Sequence, residues 1–181
     1  MNTGYLIIGA GIMGLTIARE MVSRGVKDVL IIDKEALVGV HASGRNSGVL
    51  HAGIYYHSDT NKAKFCQAGS RLMKQFCDER NLPVCKTGKV IVTRNESEIP
   101  TLNVLFERAK SNGAHVSMID QKQLSEAEPL AYSADQAIYS HDTAVVNPKL
   151  IMDELQKVLL SKGVRFIFSC AFVGLRNNTT A

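Results

Sequence analysis

The 181-residue sequence has no tryptophan, only four prolines and only four cysteines. Cys66, Cys77, Cys85 and Cys170 form no C-x-x-C pair and no zinc-ligand spacing. This argues against a zinc module and for reduced thiols. No run approaches the roughly 18 apolar residues of a membrane-spanning helix. Basic runs are missing too. The net charge of +4 comes from 21 scattered Lys and Arg against 17 Asp and Glu, which is no footprint for nucleic acid. The first apolar run begins at Tyr5, too near Met1 for a signal or transit peptide. The expectation is a cytoplasmic protein with no nucleic-acid partner and no membrane span; peripheral membrane contact stays open. What is present, 45% hydrophobic and 21% charged residues, is the composition of an ordinary globular domain.

The first thirty-three residues carry a pattern. Tyr5–Ile8 is a continuous apolar run closed by Gly9, which predicts a short buried strand. Ile12 to Ser23 predicts a helix ending near Gly25, and Val29–Ile32 a second buried strand closed by Asp33. Between strand and helix stand Gly9, Gly11 and Gly14 in G-x-G-x-x-G spacing. The first permits a tight turn, the second a close approach of backbone to a pyrophosphate, and the third close packing of helix on strand. The backbone of Ala10, Ile12 and Met13 then offers N–H groups to phosphate at the helix start. Asp33, with Lys34 beside it, stands where a carboxylate meets a ribose diol. An acid there disfavours a 2′-phosphate, so FAD and NAD both remain.

Farther along, Glu35 to Ser58 reads as a long loop, and loops of that length are usually functional. Thr60 to Arg80 predicts an amphipathic helix with Phe65, Ala68, Gly69, Leu72, Met73 and Phe76 as its apolar stripe. Strands are expected at Lys89–Thr93, Val116–Ile119, Ala137–Ser140, Ala144–Val146, Arg165–Phe168 and Ala171–Leu175. Helices are expected at Ile99 to Ala109, closed by Asn112-Gly113, at Gln121–Glu128, and from Asn147-Pro148 to Ser161, with Gly163 as terminator. The order predicts an α/β fold: a Rossmann-like βαβ layer over 1–86, an inserted α+β portion over 87–146, and a return to the first layer over 147–181. The closing "RNNTTA" is polar and reads as structureless.

A second small-residue loop, "HASGRNSGVLHAGIYY", runs from His41 to Tyr56. Ser43, Gly44, Arg45, Asn46, Ser47 and Gly48, followed by Val49, gather hydroxyl, amide and guanidinium donors suited to another anionic surface. A second clamp favours the longer FAD over NAD. Gly44 to Tyr56, with its N-S-G-V-x-H-A-G-x-Y-Y core, resembles the D-amino-acid-oxidase-like superfamily of FAD-dependent oxidoreductases. More narrowly it is similar to the L-2-hydroxyglutarate oxidase (dehydrogenase) family. The K-A-x-x-C continuation (Lys62, Ala63, Cys66), the C-x-x-G-K turn (Cys85, Gly88, Lys89) and the Glu128-Pro129 pair carry the likeness onward. Two departures stand out: the family commonly has Glu where this chain has Asp33, and it often has proline where this chain reads "HSDTN".

The resemblance implies FAD as cofactor and oxidation of a 2-hydroxy acid, L-2-hydroxyglutarate above all, to 2-oxoglutarate. It implies that Phe172 lies on a segment whose backbone meets adenine. His51 becomes the base or a flavin contact, since a hydroxyl proton calls for a group that titrates near neutrality. Arg45 is expected on a phosphate, Tyr55 and Tyr56 on the active-site wall, and Lys62 on the solvent face of its helix. Oxygen and a quinone both remain as electron acceptor. Members of the family are considerably longer, which implies an incomplete copy of a two-domain fold whose carboxylate-reading residues lie beyond Ala181. Three alternatives stay open: a glycerol-3-phosphate or amino-acid oxidase of the same superfamily, a nicotinamide dehydrogenase, and a non-catalytic nucleotide-binding fragment.

Overall fold

The computed structural model describes residues 2–175, so the closing polar stretch from Arg176 lies outside the described residues. In chain order the elements are β1 (Tyr5–Ile8), α1 (Ile12–Ser23), β2 (Val29–Ile32), β3 (Val49–Leu50), α2 (Asn61–Glu79), β4 (Val84–Cys85), β5 (Lys89–Ile91), a 3-10 turn at Glu96–Glu98, and α3 (Ile99–Ser111). There follow β6 (Val116–Ile119), α4 (Gln121–Ala127), β7 (Ala137–Ser140), β8 (Ala144–Val146), α5 (Pro148–Ser161) and β9 (Arg165–Ile167). They form two compact units: residues up to Asn46 together with those from Asn147 onward, and Ser47–Val146. The division falls after Asn46, earlier than the expected boundary at 86/87, because β3 and β4 both pair with β8 inside the second unit.

The first unit holds a parallel sheet of order β1-β2-β9, with Ile7 opposite Ile31 and Ile31 opposite Phe166. Central β2 is buried along its whole length. β1 is not the buried strand its sequence predicts: Tyr5, Leu6 and Ile8 are 51%, 44% and 55% exposed. Its single neighbour among the described residues is β2, and apolar composition alone cannot supply a second. Leu15 and Ala18 of α1 and Ile151, Met152, Leu155, Val158 and Leu159 of α5 make the helical core. Their burial follows the 3.6-residue period. α5 begins as expected: the Asn147 side chain accepts from the Lys149 and Leu150 N–H groups, and Pro148 occupies the first turn.

After β9 the expected strand over 171–175 does not form. Ser169 takes a left-handed φ of 52°. Its N–H donates to the Glu35 carbonyl at 2.9 Å, and the Cys170 N–H to the Asp33 carbonyl at 2.8 Å. Backbone groups that would have extended a ladder are instead satisfied at the end of β2.

The second unit contains two antiparallel three-stranded sheets, β3-β8-β4 and β5-β7-β6. α2 starts at Thr60, whose hydroxyl accepts from the Ala63 N–H at 3.2 Å. Its buried face differs from the expected stripe. Ala63, Phe76 and Cys77 are buried, whereas Phe65 is 72% and Leu72 57% exposed. The Ala63 carbonyl oxygen lies 3.8 Å from the position a Gly53 Cβ would take. This is ordinary van der Waals contact, and it places Ala63 on the inner face with Phe76 and Cys77.

Candidate functional site

In the first unit the chain leaves β1 through Gly9, at φ 106°, a region open to glycine. The Gly9 N–H donates to the Ile32 carbonyl at 2.8 Å. Gly14 is fixed by contact: a Cβ there would lie 2.0 Å from the Gly9 carbonyl oxygen. The first bond that closes α1 runs from the Leu15 N–H to the Gly11 carbonyl at 3.0 Å. The N–H groups of Gly11, Met13 and Gly14 have no partner among the described residues. They are the donors that a helix start holds out to an anion.

Asp33 ends β2 with both carboxylate oxygens engaged. Oδ2 accepts from the Ala10 N–H at 2.6 Å and Oδ1 from the Glu35 N–H at 2.8 Å. Each oxygen keeps a lone pair for a further donor. The acid thus ties the glycine turn to β2, a role its spacing does not reveal. Lys34 is exposed, with its Nζ 3.5 Å from Glu35.

The second loop folds back on the first. The Gly39 N–H donates to the Ala10 carbonyl at 3.1 Å, and Ser43 Oγ accepts from the Ile12 N–H at 3.0 Å. Ser43 is therefore the cap of α1, because Gly11 at the N-cap position has no side chain to offer. The Gly44 and Arg45 N–H groups both donate to the His41 carbonyl at 3.0 Å. Asn46 Nδ2 donates to the Ala42 and Ser43 carbonyls, which closes the turn. The Arg45 side chain is exposed. His41 Nε2 lies 2.8 Å from Glu35 Oε1, and this hydrogen bond holds the Glu35 carboxyl below the usual glutamate range. Phe172, 42% exposed, follows the turn that Cys170 anchors on Asp33.

The remaining candidates belong to the second unit. Ser47 is exposed, the Gly48 carbonyl accepts from the Val146 N–H at 2.9 Å, and Val49 pairs with Val145 in β3 and β8. His51 is exposed at the start of a segment whose Ala52, Gly53 and Ile54 are buried. Its carbonyl accepts from the Cys66 thiol at 3.6 Å, and burial pushes that thiol's pKa up. α3 clamps the segment. Asn112 Nδ2 donates to the Gly53 and Tyr56 carbonyls at 2.7 and 2.8 Å, and Arg108 Nη1 to the Tyr55 carbonyl at 3.1 Å. Sequence reading gave Asn112 only the end of a helix. Its partners lie more than fifty residues away, and no local signal announces them. Lys62, expected on a solvent face, is exposed with its ammonium 4.7 Å from the centre of the Tyr56 ring.

The first unit has the parts that an ADP group needs: a glycine turn with close backbone approach, unpaired helix-start donors, and a carboxylate at the end of the second strand. Residues 5–181 match the protein family described as FAD dependent oxidoreductase. The chain belongs to this FAD-dependent oxidoreductase family. Within it, the chain is 44% identical over 143 residues to the mitochondrial L-2-hydroxyglutarate dehydrogenase of Nematostella vectensis, covering 78% of this chain and 31% of that protein. It is 30% identical over 175 residues to the L-2-hydroxyglutarate dehydrogenase of Escherichia coli K12, covering 96% and 41%. The chain thus spans well under half the length of these curated relatives.

Solved flavoprotein folds agree. L-α-glycerophosphate oxidase from Mycoplasma pneumoniae, with FAD bound, superposes with a TM-score of 0.85 at 24% identity, over 93% of this chain and 45% of that one. L-proline dehydrogenase from P. horikoshii gives 0.86 at 19%, over 98% and 47%. Fold class, oxidoreductase character and FAD as cofactor follow from the family. A nicotinamide dehydrogenase does not. Among the described residues no group of His, Cys, Asp and Glu could hold a metal, and no helix is long and apolar enough to cross a membrane.

Proposed function

We propose that this chain is the FAD-holding portion of an enzyme that oxidises a 2-hydroxy acid, L-2-hydroxyglutarate, to the 2-oxo acid, 2-oxoglutarate. The observation that carries the reading is the 44% identity over 143 residues to a protein of that activity by name. When bound, the flavin supplies the acceptor for the hydride that leaves C2. The chain's own residues do the rest. The N–H groups of Gly11, Met13 and Gly14 take the pyrophosphate, and Asp33 takes the ribose diol while holding the Ala10 turn. Arg45 adds a positive charge on the phosphate side. His51 accepts the proton of the C2 hydroxyl on a ring nitrogen. Its ring has no hydrogen bond to another described side chain, and imidazole is the side chain suited to that exchange near neutral pH.

Purifying the chain with added FAD and following flavin absorption under anaerobic conditions tests this. Bleaching by L-2-hydroxyglutarate supports the reading. Bleaching by glycerol 3-phosphate or an amino acid instead replaces it with another oxidase of the superfamily. A chain that takes up no FAD is a non-catalytic fragment.

A further inference from the structure

Lys89 opens β5 in the second unit. Its Nζ donates to the Tyr55 hydroxyl at 2.7 Å and lies 4.5 Å from the centre of the Tyr55 ring. The residue is half-buried, and no carboxylate among the described residues lies within ion-pair distance of it. The ammonium has no carboxylate counter-charge among the described residues and can pair with an anion that reaches it. The donors also converge. The ammonium keeps two N–H groups after bonding Tyr55, and the phenol, having accepted from Lys89, keeps its own O–H to give.

Lys89 and Tyr55 line a cavity of about 50 Å³ with His51, Tyr56 and Thr143. A cavity needs about 10–15 Å³ to hold one water, so the space suits a small polar group such as one carboxylate. Its wall is fixed: Asn112 and Arg108 hold the carbonyls of Gly53, Tyr55 and Tyr56. Thr143 is buried, with its hydroxyl 3.0 Å from that of Ser140.

We propose that Lys89 and Tyr55 form a carboxylate subsite that seats one carboxylate of the 2-hydroxy acid beside His51. This rests on the hydroxy-acid reading above and assigns it a substrate-reading pair inside residues 47–146, whereas the sequence led us to expect such residues beyond Ala181. A single ammonium and a cavity of this size fit a planar carboxylate better than a phosphate, whose three terminal oxygens call for more donors.

The probe is glutarate, a dicarboxylate with no hydroxyl to oxidise, titrated into the chain and followed by amide and lysine side-chain NMR. Saturable shifts are expected over residues 51–56 and at Lys89 and Thr143, with none from the neutral diamide glutaramide. Lys89→Met should weaken binding roughly tenfold or more, Tyr55→Phe less, and Lys89→Arg should retain most of it. Thermal melts show whether Lys89→Met folds; if it does not, Tyr55→Phe and Lys89→Arg carry the comparison. The proposal is overturned by unchanged affinity in the variants, by no binding at all, or by shifts confined to Lys64, Arg71 and Lys74, which line a separate cavity of about 660 Å³. Flavin bleaching is a separate readout. Glutarate binding at Lys89 without bleaching by any 2-hydroxy acid would overturn the function and leave the anion subsite. Bleaching by L-2-hydroxyglutarate with KM and kcat unchanged in Lys89→Met would do the reverse.

Discussion

The Ser43 hydroxyl lies 3.0 Å from the Ile12 amide, 31 residues away in sequence, and accepts its hydrogen bond. The helix start proposed to take the cofactor phosphate is capped by the second glycine loop. Replacing Ser43 with Ala should destabilise the chain by about 1 kcal/mol, as loss of a cap does. Urea unfolding of the two proteins side by side measures it. A difference near zero would mean that water replaces the hydroxyl at no cost.

Asp33 is the next test. In Asp33→Asn one of the two backbone N–H donors, from Ala10 or Glu35, faces an amide NH₂ instead of an acceptor. The expected cost is about 2 kcal/mol of stability, in the range for a donor left unpaired. FAD affinity should fall roughly tenfold with the loss of the charged acceptor. Quenching of flavin fluorescence on titration reads the second quantity and chemical denaturation the first.

Asn112→Ala removes both bonds to the segment that carries His51 and Tyr55. Two hydrogen bonds of about 1 kcal/mol each set the scale. The loss should appear as faster amide exchange over residues 51–56 with α2 unchanged. Uniform acceleration across the second unit would argue for global destabilisation instead.

The Glu35–His41 contact makes a pH prediction whose sign is fixed. Glu35 has its folded-state pKa lowered, by the hydrogen bond from His41 first. Its contribution is complete above the ordinary glutamate range and disappears as pH falls through the lowered folded-state value. Glu35→Gln should lower Tm at neutral pH, where the contribution is complete, and converge with the parent as pH falls, so that the acid limb of a plot of Tm against pH flattens. The pair lies at the surface, with Glu35 half-buried and His41 exposed, so added salt should shrink the difference.

Thiol chemistry gives a further check. All four cysteines are free; Cys85 is exposed, while burial raises the thiol pKa of Cys66 and Cys77. A thiol-reactive dye at mildly alkaline pH should therefore label Cys85 ahead of those two. Peptide mapping at short times would show the order, and four equal rates in the folded protein would contradict it.

The βαβ unit was readable from Tyr5 to Asp33 because each of its signals is local: two apolar runs, three glycines and one acid at fixed spacing. The helix ends were readable too, since Thr60, Asn147 and Gly163 act within a turn of themselves. Other features depend on partners that no window contains. The apolar run of β1 does not say that, among the described residues, β2 alone adjoins it. The stripe from Phe65 to Phe76 is genuinely apolar, yet Ala63, Phe76 and Cys77 are the residues of α2 that go inward, because tertiary packing and not apolar character alone orients the helix. β3 and β4, two residues each, are too short for a period to show. The apolar residues from Ala171 to Leu175 predict a last strand, and after the left-handed turn at Ser169 none forms there. At the site, the glycine loops were visible as loops, but the hydroxyl of Ser43, the amide of Asn112 and the ammonium of Lys89 acquire their roles from residues 31 to 59 positions distant.

β1 sets a limit on handling. A strand that shows Tyr5, Leu6 and Ile8 to water, with an edge unpaired among the described residues, invites other chains to add to it. The shelf life of concentrated samples will be governed by these few residues more than by the net charge of +4, and turbidity that grows with protein concentration will be the first sign.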